Sequence, residues 1–250
     1  MAFTWHLHAQ TTIHITIGEW EPYLSSQSYE YGLVSHIVKE AFKLEGIEVK
    51  WGFFPWKRAY EMAKEGDEWQ ASAIWWPTKE ILKEFLTSDP VLNTSLVFFH
   101  LKSHDFQWKT INDLKGLTVG LTRGYGYGDE LLKAQKDNII ITETVTTDEQ
   151  NFMKMLSGRI DIFPNEKIVG YAQLRNTLKA DSLLFTHHPQ EFKVRTLHFI
   201  ISKKAKNAKT FLKKFNSGLK KLHDSGQYKK MMGALKKGKY KKQLKEWNPE

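Results

Sequence analysis

The sequence predicts an α/β fold made of two lobes, and three observations predict it. Short β-rich runs and helical apolar patterns follow each other almost without interruption. The same alternation restarts near residue 117, with no low-complexity linker between the halves. The 250 residues, 41% of them hydrophobic, suffice for two cores at roughly 100–200 residues per domain.

The elements follow in order. Residues 13–17 (IHITI) read as a strand, and Leu33, Val34, Ile37, Val38, Ala41, Phe42 and Leu44 trace one helical face that Gly46 closes. Ile47, Val49 and Trp51 alternate with Glu48 and Lys50 as in a half-buried strand. A helix is predicted over 55–64, with Pro55 at its first turn and Gly66 at its end. Next come a strand at 71–75, a short helix after Thr78 and a strand at 95–101. The second half predicts strand 117–121, helix 128–136 and strand 139–143. Thr147 with Gln150 signals a capping box for a helix that Gly158 ends. Strands at 160–163 and 197–202 flank a helix over 168–177.

Composition excludes several classes. Without cysteine there is no disulfide framework, zinc-finger pattern or catalytic thiol. No apolar run approaches the ~20 residues that span a bilayer. Ala9-Gln10 resembles the end of an export signal, yet the basic start and apolar length are lacking, so an ordinary N-terminus stays open. Residues 203–245 carry 16 lysines against one acid, Asp224. Phe211, Phe215, Leu219 and Leu222 recur there at helical spacing, which predicts solvated lysine faces on amphipathic helices. Nucleic-acid binding would want interleaved exposed aromatics, and only Tyr228 and Tyr240 offer themselves. His187-His188 and the His6, His8, His14 group lack acidic or cysteine partners at ligand spacing, so no metal or cofactor is expected.

Several segments together resemble the amino-acid-type periplasmic solute-binding family, the type II bilobal receptors of ABC transporters. They are Gly18-Glu19-Trp20-Glu21-Pro22-Tyr23, Tyr31-Gly32-Leu33, Phe85-Leu86-Thr87-Ser88-Asp89-Pro90, the run from Asp113 to Gly120, Gly158-Arg159-Ile160-Asp161, and Asp224-Ser225-Gly226-Gln227-Tyr228. This resemblance implies a periplasmic-binding-protein-like fold, each lobe a mixed sheet flanked by helices, with a ligand cleft between lobes. It implies lobe one at 11–93 and 197–250, and lobe two at 94–196. It also implies a periplasmic, monomeric receptor that binds a small molecule, meets a membrane ABC-transporter permease and binds no nucleic acid.

Site residues carried over from the resemblance depart from the family at one point. Its amino-acid binders use a Thr-x-x-Arg guanidinium that pairs bidentately with the ligand's carboxylate; here Thr78-Lys79-Glu80-Ile81 ends in isoleucine. An ordinary α-amino acid is therefore not expected. Glu166, five positions after Asp161, matches the family's amine acceptor; a helix N-terminal glutamate favoured by the dipole is the other reading. Trp20 matches the stacking aromatic, and Trp56, Trp75 and Trp76 offer further indole walls for rings or cations. Arg58 and Arg123 are candidates to replace the missing guanidinium. Arg123 opens the glycine-rich loop with Tyr125 and Tyr127, at the place where the family presents backbone donors. Glu19 completes the set as a polar contact or a solvated side chain. The reading is a non-enzymatic receptor for a small polar or aromatic, amino-acid-like solute. The alternative is a ligand-sensing module, or a cyclic-acid dehydratase-like enzyme with Glu166 and Glu19 as acid and base.

Overall fold

The computed structural model describes residues 11–241. The export-signal reading of 1–10, and with it His6 and His8, lies outside the described residues. Two units emerge, residues 11–92 with 196–241 and residues 93–195. The chain leaves the first unit along strand β4 (Phe85–Leu101) and returns along β8 (Phe185–Ser202).

In the first unit the strands lie in the order β2-β1-β3-β8-β4, with β1 (Thr11–Ile17) parallel to both β2 (Ile47–Phe53) and β3 (Ala71–Trp75). Ile13, Ile15 and Ile17 point to one face and are fully buried, the period-two pattern of a sheet covered on that face. Helix α1 (Leu33–Lys43) buries Leu33, Val34, Ile37, Val38, Ala41 and Phe42 of its predicted apolar stripe, while Leu44, just past its last residue, stays exposed. Helix α2 (Trp56–Glu65) starts directly after Pro55 and stops at the left-handed Gly66. Thr78 caps α3 (Lys79–Glu84), its side chain accepting from the Ile81 amide. Helix α7 (Ala208–Asp224) turns Phe211, Phe215, Leu219 and Leu222 inward, and Phe215 packs 5.2 Å from Phe42 and 4.7 Å from Phe199 between ring centroids. Helix α8 (Gln227–Lys236) follows. Tyr240 is 1% exposed and Tyr228 donates to the Val91 carbonyl, so both aromatics of the lysine-rich end are used in packing.

The second unit holds β5 (Thr118–Thr122), α4 (Asp129–Lys136), β6 (Ile141–Val145), α5 (Asp148–Leu156), β7 (Phe163–Glu166) and α6 (Lys167–Leu178). β5 and β6 pair in parallel, and β7 pairs antiparallel with the second half of β4. One core cluster gathers Phe98, Phe106, Trp108, Leu114 and Ile162, and another Phe99, Phe152, Phe163 and Phe185. Thr147 and Gln150 form the predicted capping box.

Four strands differ from the sequence reading. The strand predicted at 160–163 lies at Phe163–Glu166, because Ile160 and Ile162 serve the core and the ladder with β4 begins at the Phe99–Phe163 pair. Ile139 closes the end of α4 by donating to the Ala134 carbonyl, which moves β6 to 141–145. β4 and β8 run 17 and 18 residues, well past the apolar segments that predicted them. Among the described residues no helix is long and apolar enough to cross a membrane.

Candidate functional site

In the first unit the indoles gather where β1 and β3 end. Gly18 follows β1, and a Cβ there would lie 2.5 Å from the Trp56 ring, so the absent side chain seats that indole. Trp56 Nε1 donates to the Glu19 carbonyl at 3.2 Å, and its ring meets Trp75 edge-on at 5.3 Å. Trp75 is tied down by donating to Ser72 Oγ at 2.8 Å and lies 5.6 Å from Tyr60. Trp20 and Trp76 are half-buried, and Trp20 rests on Tyr23 at 5.0 Å. The structure therefore joins Trp56 to Trp75 and places Trp20 one residue beyond the carbonyl that Trp56 holds.

The polar candidates of this unit behave differently. The Glu19 carboxylate accepts from the Ser26 amide at 3.1 Å and braces its own loop. Arg58 is exposed, and its guanidinium lies 5.2 Å from the centroid of the Phe54 ring. Ile81 is 5% exposed and packs with Ala63, Phe85 and Ile200. An isoleucine side chain there adds to the core and offers no hydrogen bond.

In the second unit the glycine-rich loop after β5 converges on a residue the sequence did not single out, Asp148. Its carboxylate is 3% exposed and accepts from the Thr122 hydroxyl, from Gln173 Nε2 at 3.0 Å, and from Asn165 Nδ2 and the Tyr125 hydroxyl at 3.3 Å each. All four donors are neutral, and among the described residues Asp148 makes no ion pair. Burial pushes its carboxyl above the usual range, against the opposing pull of the Thr122 and Gln173 bonds. Asn151 Nδ2 donates to Thr122 Oγ1 at 3.0 Å and extends the network.

Tyr127 is buried, and its hydroxyl accepts from the Thr122 amide at 2.7 Å. Tyr125 keeps 36% of its surface exposed while its hydroxyl reaches inward to Asp148. Burial raises both phenols well above their ordinary value. Arg123 is exposed on the same loop, and Arg195, also unpredicted, donates to the Gly126 carbonyl and braces it. Burial pulls the Arg195 guanidinium down to about 10.

Glu166 is 3% exposed and forms the N-cap of α6, its Oε2 accepting from the Val169 amide at 2.7 Å. Asn165 Oδ1 accepts from the Glu166 amide at 2.8 Å, so the cap and the Asp148 network share a residue. The capping box was the available signal for Asp148, since it places residue 148 in the first helical turn beside the loop from β5. The histidines serve locally: His14 contacts the Glu68 carbonyl, His187 the Tyr171 hydroxyl, and His188 accepts from the Gln190 amide. Among the described residues no three potential metal ligands cluster.

No family model matches the chain. It is 28% identical over 129 residues to the "Probable amino-acid-binding protein YxeM" of Bacillus subtilis (strain 168). That match covers 50% of this chain and 48% of the relative, so the aligned segment spans about half the relative's length. Among solved structures, an ancestral arginine-binding protein bound to arginine aligns with a TM-score of 0.74 at 19% identity, over 91% of this chain and 99% of that one. The amino acid ABC transporter substrate-binding protein AbpA of Streptococcus pneumoniae Canada MDR_19A, bound to L-arginine, gives 0.73 at 15% over 93% and 97%. A histidine kinase sensor domain with similarity to periplasmic binding proteins gives 0.74 at 13% over 90% and 96%. The chain has the fold of these binding proteins, the periplasmic-binding-protein-like type II fold, with mixed sheets flanked by helices.

Proposed function

We propose that the chain belongs to the amino-acid-type solute-binding family and acts as an extracytoplasmic receptor, taking a small amino-acid-like solute for delivery to an ABC-transporter permease. The observation that carries the reading is the fold, shared over nine-tenths of the chain with an ancestral arginine-binding protein and an amino acid ABC transporter substrate-binding protein. In this reading the first unit contributes the indoles Trp20, Trp56, Trp75 and Trp76. The candidates carried by the second unit, taken by itself, are Arg123, Tyr125, Tyr127 and Glu166. Arg58 and Glu19 are lesser contributors, because Arg58 rests on Phe54 and Glu19 holds the Ser26 amide. With Ile81 in the core, the solute's carboxylate falls to Arg123.

A thermal-shift screen of small metabolites tests the proposal. A ligand at 100 times its Kd adds about 2.7 kcal/mol, which raises the Tm of a chain this size by roughly 5–10 °C. A flat response across amino acids, their derivatives and small ring compounds would count against a receptor. The sensor-domain match supports a second reading, a ligand-sensing module on the same fold. Loss of solute uptake in cells lacking the chain favours transport, and loss of a transcriptional response with intact uptake favours sensing.

A further inference from the structure

Asp148 is a buried carboxyl whose donors among the described residues, Thr122, Tyr125, Asn165 and Gln173, are all neutral, in a unit whose exposed aromatic ring is wired to it. Neutral donors lower the cost of burying a carboxylate without cancelling its field, so the surface above it favours a positive group. Tyr125 is that surface. Its hydroxyl donates to Asp148 Oδ2 at 3.3 Å while the residue stays 36% exposed. A phenol that donates to a carboxylate gains electron density on its oxygen, and the ring face becomes more negative. Cations bind aromatic faces through that negative quadrupole. Tyr127 stands 6.3 Å away, tilted and buried, and supports the ring from within.

Two residues before Tyr125, the exposed Arg123 would repel a simple cation. A zwitterion removes the conflict by giving Arg123 its carboxylate and Tyr125 its positive nitrogen. We propose that Tyr125 is a cation platform, that the solute carries a cationic nitrogen seated on its ring face, and that Asp148 is the positioning residue that sets this preference through the Tyr125 hydroxyl. The inference rests on the receptor reading above and adds the charge class of the solute.

The test uses the full chain and pairs of probes matched in shape that differ in charge. These are 5-guanidinopentanoate with 5-ureidopentanoate, 6-aminohexanoate with heptanoate, and glycine betaine with 3,3-dimethylbutanoate, each second member keeping the carboxylate and replacing the cationic nitrogen group by a neutral one. Titration calorimetry should show one member with the cationic nitrogen binding about tenfold or more tighter than its partner with the neutral group. Tyr125→Phe keeps the ring and removes its bond to Asp148, and should narrow that ratio about three- to fivefold with little change for the neutral partner. Asp148→Asn should narrow it likewise; should that variant fail to melt cooperatively, Tyr125→Phe decides. Equal affinities within every pair, or an unchanged ratio in Tyr125→Phe, would overturn the inference. Binding of neutral or anionic solutes alone would overturn it and leave the receptor reading standing. No binder among these probes or in the metabolite screen removes both.

Discussion

Asp148 shows how a single side chain sets opposing terms against each other. Its four hydrogen bonds favour the carboxylate, its burial disfavours it, and burial is the larger effect. With the folded pKa above the unfolded value of about 3.9, the folded state holds the proton more tightly. Below that value the carboxyl is neutral in both states and carries no charge penalty. As pH rises from about 3.9 through the higher folded value, the penalty accumulates, and above it the penalty is complete. The Tm of the wild type should therefore fall relative to that of Asp148→Asn as pH is raised from 4 across the carboxylate range. Parallel Tm profiles for the two proteins over that range would show that Asp148 titrates normally. A cationic solute bound above Tyr125 should flatten the difference, because it favours the ionised carboxylate. The residues around Asp148 explain why sequence reading passed it by. Its donors come from positions 122, 125, 165 and 173 on separate elements, and nothing local in the sequence marks them as neighbours. Tyr125, Tyr127 and Glu166 were legible because their motifs sit at fixed short spacing. Whether Glu166 caps a helix or meets a ligand was not legible, and the structure shows the cap in place.

At the scale of elements, α7 packs closely on α1 in the first unit. A Cβ on Gly218 would collide with the Ala41 carbonyl oxygen, which is backbone and cannot swing away. In a free helix Gly→Ala gains about 1 kcal/mol, whereas overpacking a tight contact costs about 1–3 kcal/mol. With backbone on the opposing side the clash should win, so Gly218→Ala is expected to lower stability by about 1–2 kcal/mol in urea denaturation. A stabilised variant would mean that the two helices part readily. The apolar faces of α1 and α7, the Gly66 stop and the Thr147 capping box were all visible in sequence, because each follows from a local period or a local cap. The full lengths of β4 and β8 were not. Segments such as Ser88-Asp89-Pro90 and Glu191-Phe192-Lys193 have no clean alternation, and their extended form comes from strands distant in sequence. Pairing with partners a hundred residues away outweighs local propensity there.

The whole molecule is built so that one unit is continuous in sequence and the other is not. Residues 93–195 contain both of their own clusters, around Phe98 and Trp108 and around Phe99 and Phe152. The first unit needs its two ends, since α1 near the start is covered by α7 near the end and Phe42 packs on both Phe199 and Phe215. Removing α7 and α8 would expose Phe42, Phe199 and the apolar face of α1, far more surface than the remaining contacts could offset at about 25 cal/mol per Å². A chain ending at residue 206 should therefore lose cooperative melting of its first unit. The amides of β5, α5 and β7, which depend on contacts inside residues 93–195, should keep their protection in hydrogen exchange. Uniform loss of protection through both segments would show instead that the second unit draws its stability from the first. The two outcomes separate a chain of two autonomous cores from one that folds as a single cooperative block.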